Sequence, residues 1–182
     1  QLANLAKQNY SCTVPIFYTT WGRQNGDSQI CQNGECTYEV MDNLLQQRYR
    51  TMAENNKGLV SPVAQVWRYI RENHPNIQLY VSDQSHPSLE GSMAAAYTFY
   101  TIIYRKDPSL ATFNATLNSQ TATTIKNAVK HIVYNNLENY IKSIYPNSKI
   151  KYRWMTEDCV SLDKIPYIGE FSKFLPNMYV AT

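Results

Sequence analysis

The residues best suited to chemistry are Asp83 and His86, in the segment Asp83-Gln84-Ser85-His86. An aspartate three residues before a histidine can share one turn with it, and its carboxylate can then accept a hydrogen bond from the imidazole. Such a carboxylate fixes the tautomer of the ring and stabilises the imidazolium that forms when the ring takes a proton from a nucleophile. The pair therefore predicts a general base, and the competing interpretation is a turn with an aspartate cap.

The position of this pair favours a functional role. It follows Ile77-Gln78-Leu79-Tyr80-Val81, which predicts a buried strand, and it precedes Ser88, which can cap a helix that runs from Leu89 to about Arg105. Open α/β sheets bind ligands at the carboxyl ends of their strands. Small residues in the helix, namely Gly91, Ser92, Ala94, Ala95 and Ala96, permit close packing.

Hydrophobic periodicity predicts the elements that must position the pair. Apolar residues recur at helical spacing over 37–55, and the opposite, solvent-facing side includes Asp42 and Arg48. Ser61 and Pro62 have the residue types of a helix cap and a first helical position. The other predicted elements are an opening helix from Leu2, a strand within 13–20, a polar loop over 21–35 and a helix over about 121–145.

This alternation of helices and strands predicts an α/β layer fold with a parallel sheet. Only two strands are evident, whereas such sheets usually have about four or five. We therefore expect another chain or an N-terminal fragment to complete the sheet.

Several motifs, in the same order, resemble the SGNH/GDSL hydrolases, and most closely one secreted bacterial branch of that superfamily. The resemblance covers about residues 2–140. The motifs are Phe17-Tyr18-Thr19-Thr20-Trp21-Gly22-Arg23, Cys36-Thr37-Tyr38, Pro62-Val63-Ala64-Gln65-Val66-Trp67, and the block from Leu79 through Asp83, His86, Pro87 and Ser88 to Tyr97.

The resemblance implies a three-layer SGNH-hydrolase-like α/β fold whose first strands are missing from this chain. Residues 1–145 would be the C-terminal portion of that domain, and 146–182 an irregular aromatic extension. It also implies that His86 is the general base, that Asp83 orients it, and that Trp21, Gly22 and Arg23 line the substrate cleft. By residue type alone, Trp21 is equally a core aromatic and Arg23 a solvated loop charge.

The nucleophilic serine of the family is not evident. Its Gly-(Asp/Asn)-Ser turn directly follows a strand, and the literal match here, Gly26-Asp27-Ser28, lies beyond a polar segment and leads into a cysteine loop. We interpret this match as coincidence and expect the serine upstream of Gln1. The chain alone should then be inactive.

Cysteine usage points to an oxidising compartment. The cysteines are Cys12, Cys31, Cys36 and Cys159, and the spacing of Cys31 and Cys36 suits a small disulfide-closed loop. Disulfides would place the protein outside the cell, in the periplasm or at the cell surface, whereas four free thiols would indicate the cytosol. No metal-ligand spacing occurs among cysteines and histidines, so we expect no metal.

Charge and hydropathy exclude two classes of partner. The net charge of +3 is spread along the chain, unlike the basic face of a nucleic-acid binder, and the longest apolar run, near 93–104, is too short to span a bilayer. The expected function is an SGNH-type ester hydrolase that acts on a carbohydrate O-acyl or acetyl ester without a cofactor. The alternative is a non-catalytic cell-surface binding or structural component that retains the fold.

Overall fold

The structure, a computed structural model, describes residues 2–9, 13–29 and 36–136, together with the backbone of 168–170 and 179–181. It is a mixed α/β structure, mostly helical, with a small parallel sheet. The described helices are α1 (Leu2–Asn9), α2 (Tyr38–Asn55), α3 (Val63–Asn73), α4 (Leu89–Tyr104) and α5 (Ser119–Ile132), with 3₁₀ turns at Pro108–Leu110 and Tyr134–Asn136. The described strands are β1 (Ile16–Tyr18), β2 (Leu59–Ser61), β3 (Ile168–Glu170) and β4 (Tyr179–Ala181).

Strands β1 and β2 form the parallel sheet, and α2 is the crossover between them. Ile16 lies opposite Leu59, and Tyr18 lies opposite Ser61. Since Ser61 is the last residue of this strand, it does not cap the next helix as expected: α3 begins one residue later than expected, at Val63, with Pro62 as its N-cap residue.

The strand predicted over 77–81 is wrong. This segment turns back on itself, with a single bridge between Tyr80 and Pro87. The backbone N–H of Val81 donates to the carbonyl of His86 over 3.0 Å, and the carbonyl of Leu79 accepts from the N–H of Ser88 over 2.9 Å. These backbone groups are thus hydrogen-bonded across the turn and do not pair with the sheet. The turn, residues 82–87, carries Asp83 and His86 and is called the dyad loop.

Helix α2 begins where its pattern predicts, because the hydroxyl of Thr37 accepts a hydrogen bond from the N–H of Val40. The expectation that Asp42 faces solvent is wrong, because its side chain is fully buried. There its carboxylate pairs with Arg68 and accepts a hydrogen bond from Gln46 Nε2 over 2.7 Å. The partners come from a neighbouring helix and the next turn, so a buried charge is tolerated on a face that the sequence pattern makes polar.

Helix α4 lies as predicted after Ser88, whose hydroxyl accepts a hydrogen bond from the N–H of Gly91. It packs with α3 and α5 around a core that includes the fully buried Trp67, Ile102 and Ile125. A Cβ atom on Gly91 would lie 2.3 Å from the carbonyl oxygen of Leu79. The glycine therefore lets α4 approach the segment that leads into the dyad loop.

Helix α5 ends at Ile132, earlier than the predicted limit near 145, and a 3₁₀ turn follows it. Residues 137–145 of the predicted helix lie outside the described residues. Within 146–182, the backbones of β3 and β4 pair in antiparallel fashion, with Ile168 opposite Ala181. Among the described helices, none combines the length and the apolar character needed to cross a membrane.

Candidate functional site

The side chains of Asp83 and His86 meet in the loop before α4. His86 Nδ1 lies 2.6 Å from Asp83 Oδ2. The other carboxylate oxygen, Oδ1, accepts hydrogen bonds from the backbone N–H groups of Ser85 and His86, each over 2.9 Å. Both oxygens of the carboxylate are therefore engaged, and its plane is fixed relative to the imidazole.

These hydrogen bonds favour the ionised carboxylate. The imidazole of His86 and the two backbone N–H groups lower the pKa of Asp83 from 3.8 to about 2. Asp83 is therefore a permanent anion at neutral pH, and an anion at this position holds the proton of the ring on Nδ1. The side chain of His86 is 78% exposed, which leaves the second ring nitrogen accessible to a reacting group.

The loop has an unusual backbone at Gln84, whose φ of 61° lies in the left-handed region. Its N–H donates to the carbonyl of Val81 over 3.0 Å, which closes the turn between the Leu79–Val81 segment and His86. A side chain in this region is disfavoured unless neighbouring contacts hold it. Those contacts come from the segment that follows β1.

Trp21, three residues after the end of β1, contacts the loop of Asp83 and His86. Its indole Nε1 donates to the carbonyl of Ser85 over 3.0 Å. Its ring stacks on that of Trp67, with centroids 3.8 Å apart and an angle of 2° between planes. The structure thus brings Trp21 to the loop of Asp83 and His86, although the two segments are far apart in sequence.

The next residues bind the same loop. The N–H of Gln24 donates to the carbonyl of Gln84 over 2.8 Å, and Asn25 Nδ2 donates to Gln84 Oε1 over 2.6 Å. Arg71 Nη2 donates to the carbonyl of Gln24 over 3.2 Å, which ties the segment to α3. Gln84 is therefore held through both its backbone and its side chain.

Gly22 and Arg23 differ in what they offer to a ligand. Gly22 is buried, and its carbonyl accepts a hydrogen bond from the Tyr80 hydroxyl over 2.6 Å. Burial raises the pKa of Tyr80 to about 12, so this hydroxyl remains a donor. Arg23 has a half-exposed side chain that pairs with Asp27 over 2.5 Å. The substrate-binding roles of these residues stay predictions.

Ser28 is exposed and lies in an open depression of about 580 Å³. The neighbouring Asp27 accepts the N–H of Gln29 and pairs with Arg23, and neither Asp83 nor His86 lines the depression. Among the described residues, no hydroxyl group forms a hydrogen bond with His86. Asp27 of the literal Gly26-Asp27-Ser28 match thus contacts Arg23 and Gln29, and these contacts do not involve the dyad loop.

Several residues around the site were not predicted. No contact of Trp67 with Trp21, or of Gln84 with Asn25, was expected, since periodicity and turn composition say nothing about partners that are distant in sequence. Cys36 is buried beside Met41. Cys12, Cys31 and Cys159 lie outside the described residues, so the disulfides stay a prediction. Within the described residues, no cluster of histidine, cysteine and acidic side chains could hold a metal ion.

Comparisons of the chain with protein-family models, curated proteins and solved structures give no match. A functional assignment therefore depends on the residues and geometry of the site itself.

Proposed function

We propose that this chain carries the His–Asp half of the catalytic triad of an SGNH-type serine ester hydrolase. The observation that carries the proposal is the 2.6 Å contact between His86 Nδ1 and Asp83 Oδ2, on an imidazole whose other edge is exposed. A turn with an aspartate cap requires only that the Asp83 carboxylate accept the backbone N–H groups of Ser85 and His86. The additional contact with a solvent-facing imidazole is what a general base requires.

In this proposal, His86 acts as base and then as acid. Its Nε2 takes the proton of a serine hydroxyl as the serine oxygen attacks the ester carbonyl, and it then gives that proton to the departing alkoxide. The same nitrogen then takes a proton from water as the water attacks the acyl-enzyme, and it returns that proton to the serine oxygen as the carboxylic acid leaves. Asp83 keeps Nδ1 protonated and stabilises the imidazolium in both steps. The chemistry uses no cofactor.

The serine is proposed to lie upstream of Gln1. Strand β1 pairs with β2 along one edge, and no other described strand lies beside it. Ile16 in β1 is 38% exposed and Val14, two residues before it, is 50% exposed, so apolar side chains at this end of the sheet are left partly uncovered. A preceding strand and nucleophile turn, from the same protein or another chain, would complete the three-layer SGNH-like fold.

The substrate class follows from the resemblance. We propose a carbohydrate O-acyl or acetyl ester, and a secreted, periplasmic or cell-surface location, where such substrates occur. The polar side chains of Gln84, in the loop, and of Asn25, which bonds to it, are suited to hydrogen bonding with sugar hydroxyls.

The test is hydrolysis of a chromogenic acetyl ester by the full-length protein, combined with labelling by a serine-directed phosphonate. We expect turnover that His86→Ala abolishes, and a labelled serine upstream of Gln1. Residues 1–182 alone should hydrolyse the ester no faster than buffer. A full-length protein that neither hydrolyses acyl esters nor accepts the label would instead identify the non-catalytic surface component.

A further inference from the structure

We propose that Trp21 is a positioning residue for His86: its indole N–H and its ring stack hold the peptide group from which the catalytic imidazole extends. The inference rests on the proposed function, in which His86 is the base. It assigns to Trp21 a role distinct from lining the substrate cleft.

The peptide group between Ser85 and His86 is held from both sides. Its carbonyl, which belongs to Ser85, accepts the indole N–H of Trp21 over 3.0 Å. Its N–H, which belongs to His86, donates to Asp83 Oδ1 over 2.9 Å. Since a peptide group is planar and rigid, hydrogen bonds at both of its polar atoms fix its rotation. The direction in which the His86 side chain leaves the loop is thereby set.

Trp21 is itself fixed by the core. Its ring stacks on Trp67, which is fully buried, and Tyr80 packs edge-on against Trp67 with centroids 4.9 Å apart. Tyr18, in β1, approaches the ring of Trp21 with centroids 6.3 Å apart. The Trp21 indole, which donates the hydrogen bond, thus packs against Tyr18 in β1 and Trp67 in α3, and neither element belongs to the dyad loop.

Two further contacts restrict the conformation of the dyad loop. Gln84 stays in its left-handed conformation while its carbonyl and side-chain oxygens accept from Gln24 and Asn25. These contacts hold the start of the turn, and Trp21 holds its end. Loss of the Trp21 bond would leave the Ser85–His86 peptide group held only at its N–H, so its orientation would be less restricted although the loop would remain attached.

A misaligned base slows proton transfer and leaves ground-state substrate binding largely unaffected. We therefore expect Trp21→Phe, which keeps an aromatic ring on Trp67 but removes the N–H, to lower kcat by on the order of tenfold, the equivalent of one lost hydrogen bond. The KM for the acetyl ester should change by less than about twofold.

The second readout does not depend on activity. Long-range ¹H–¹⁵N NMR of the full-length protein at alkaline pH reports which ring nitrogen of neutral His86 carries the proton. We expect the Nδ1–H tautomer in the wild type and a mixture with Nε2–H in Trp21→Phe. Amide exchange at Ser85 and His86, whose N–H groups both bond to Asp83, should accelerate in parallel.

Trp67→Phe is the matched control. It replaces one indole of the stack by a phenyl ring, which still packs beneath Trp21, and it removes no hydrogen bond of the site, since Trp67 Nε1 has no hydrogen-bond partner among the described residues. We expect a lower Tm with the wild-type tautomer and exchange rates. If Trp21→Phe leaves tautomer, exchange and kcat unchanged, or if Trp67→Phe alters the tautomer equally, the inference is wrong. If the wild type lacks esterase activity, the proposed function fails, whereas the tautomer comparison still decides the role of Trp21.

Discussion

The Asp83 carboxylate contacts His86 twice, once through each of its oxygens. One oxygen lies 2.6 Å from the imidazole nitrogen, and the other accepts the backbone N–H of the same histidine over 2.9 Å. One aspartate therefore sets both the orientation of the ring and the path of the loop that carries it. A change at Asp83 that preserves its shape separates the electrostatic role from the structural one.

Asp83→Asn is the substitution that does this. The amide oxygen can still accept the backbone N–H groups, but the side chain no longer carries the charge that keeps the proton on Nδ1. We expect kcat for acetyl-ester hydrolysis by the full-length protein to fall by about 10³- to 10⁴-fold, with an unchanged circular dichroism spectrum. Asp107→Asn, which removes a carboxylate paired with Lys130, is the matched control and should retain activity. Equal losses in both variants would contradict a catalytic Asp83.

The dyad should also give stability a dependence on acid pH. Folding lowers the pKa of Asp83 from 3.8 to about 2, so the ionised carboxylate stabilises the folded state above pH 3.8. This contribution is lost as the pH falls through about 2. We expect the difference in Tm between wild type and Asp83→Asn to shrink between pH 5 and pH 2, as measured by thermal melts. A difference that is constant over this range would show that Asp83 titrates at its ordinary value.

Ser28 tests the rival nucleophile. Its Gly26-Asp27-Ser28 turn pairs with Arg23 and Gln29, and no hydroxyl of the described residues bonds to His86. Ser28→Ala should therefore retain the activity of the full-length protein within about twofold. Peptide mapping after phosphonate treatment should find no adduct on Ser28. An adduct there, together with loss of activity in Ser28→Ala, would transfer the nucleophile to this loop.

Gly91 tests the packing beneath the site. A Cβ atom at this position would lie 2.3 Å from the carbonyl oxygen of Leu79 and 2.4 Å from Cζ2 of Trp67. We expect Gly91→Ala to lower the free energy of unfolding by about 3 kcal/mol, because both neighbours are held in the core. Urea denaturation measures this, and Ser92→Ala on the exposed face of the same helix should change stability by less than about 0.5 kcal/mol. Equal midpoints would refute the close approach of α4.

Elements with local causes could be predicted from the sequence. The starts of α2 and α4 follow from Thr37 and Ser88, whose hydroxyls accept N–H groups three residues onward. The meeting of Asp83 and His86 is equally local, since both lie in one short turn. Their spacing allowed the pair, whereas its functional interpretation also depended on its position before α4 and on the resemblance.

Non-local pairing was decided by the tertiary structure. An apolar β-branched segment becomes a strand only where a neighbouring strand pairs with its backbone. The β1 segment finds such a neighbour in 59–61, whereas 77–81 leads into the dyad loop and forms a single bridge with Pro87. Asp42 is buried because Arg68 on another helix pairs with it. Trp21 bonds to Ser85 across 64 positions of sequence. No periodicity encodes such distances, because these contacts exist only once the helices have packed and brought distant segments together.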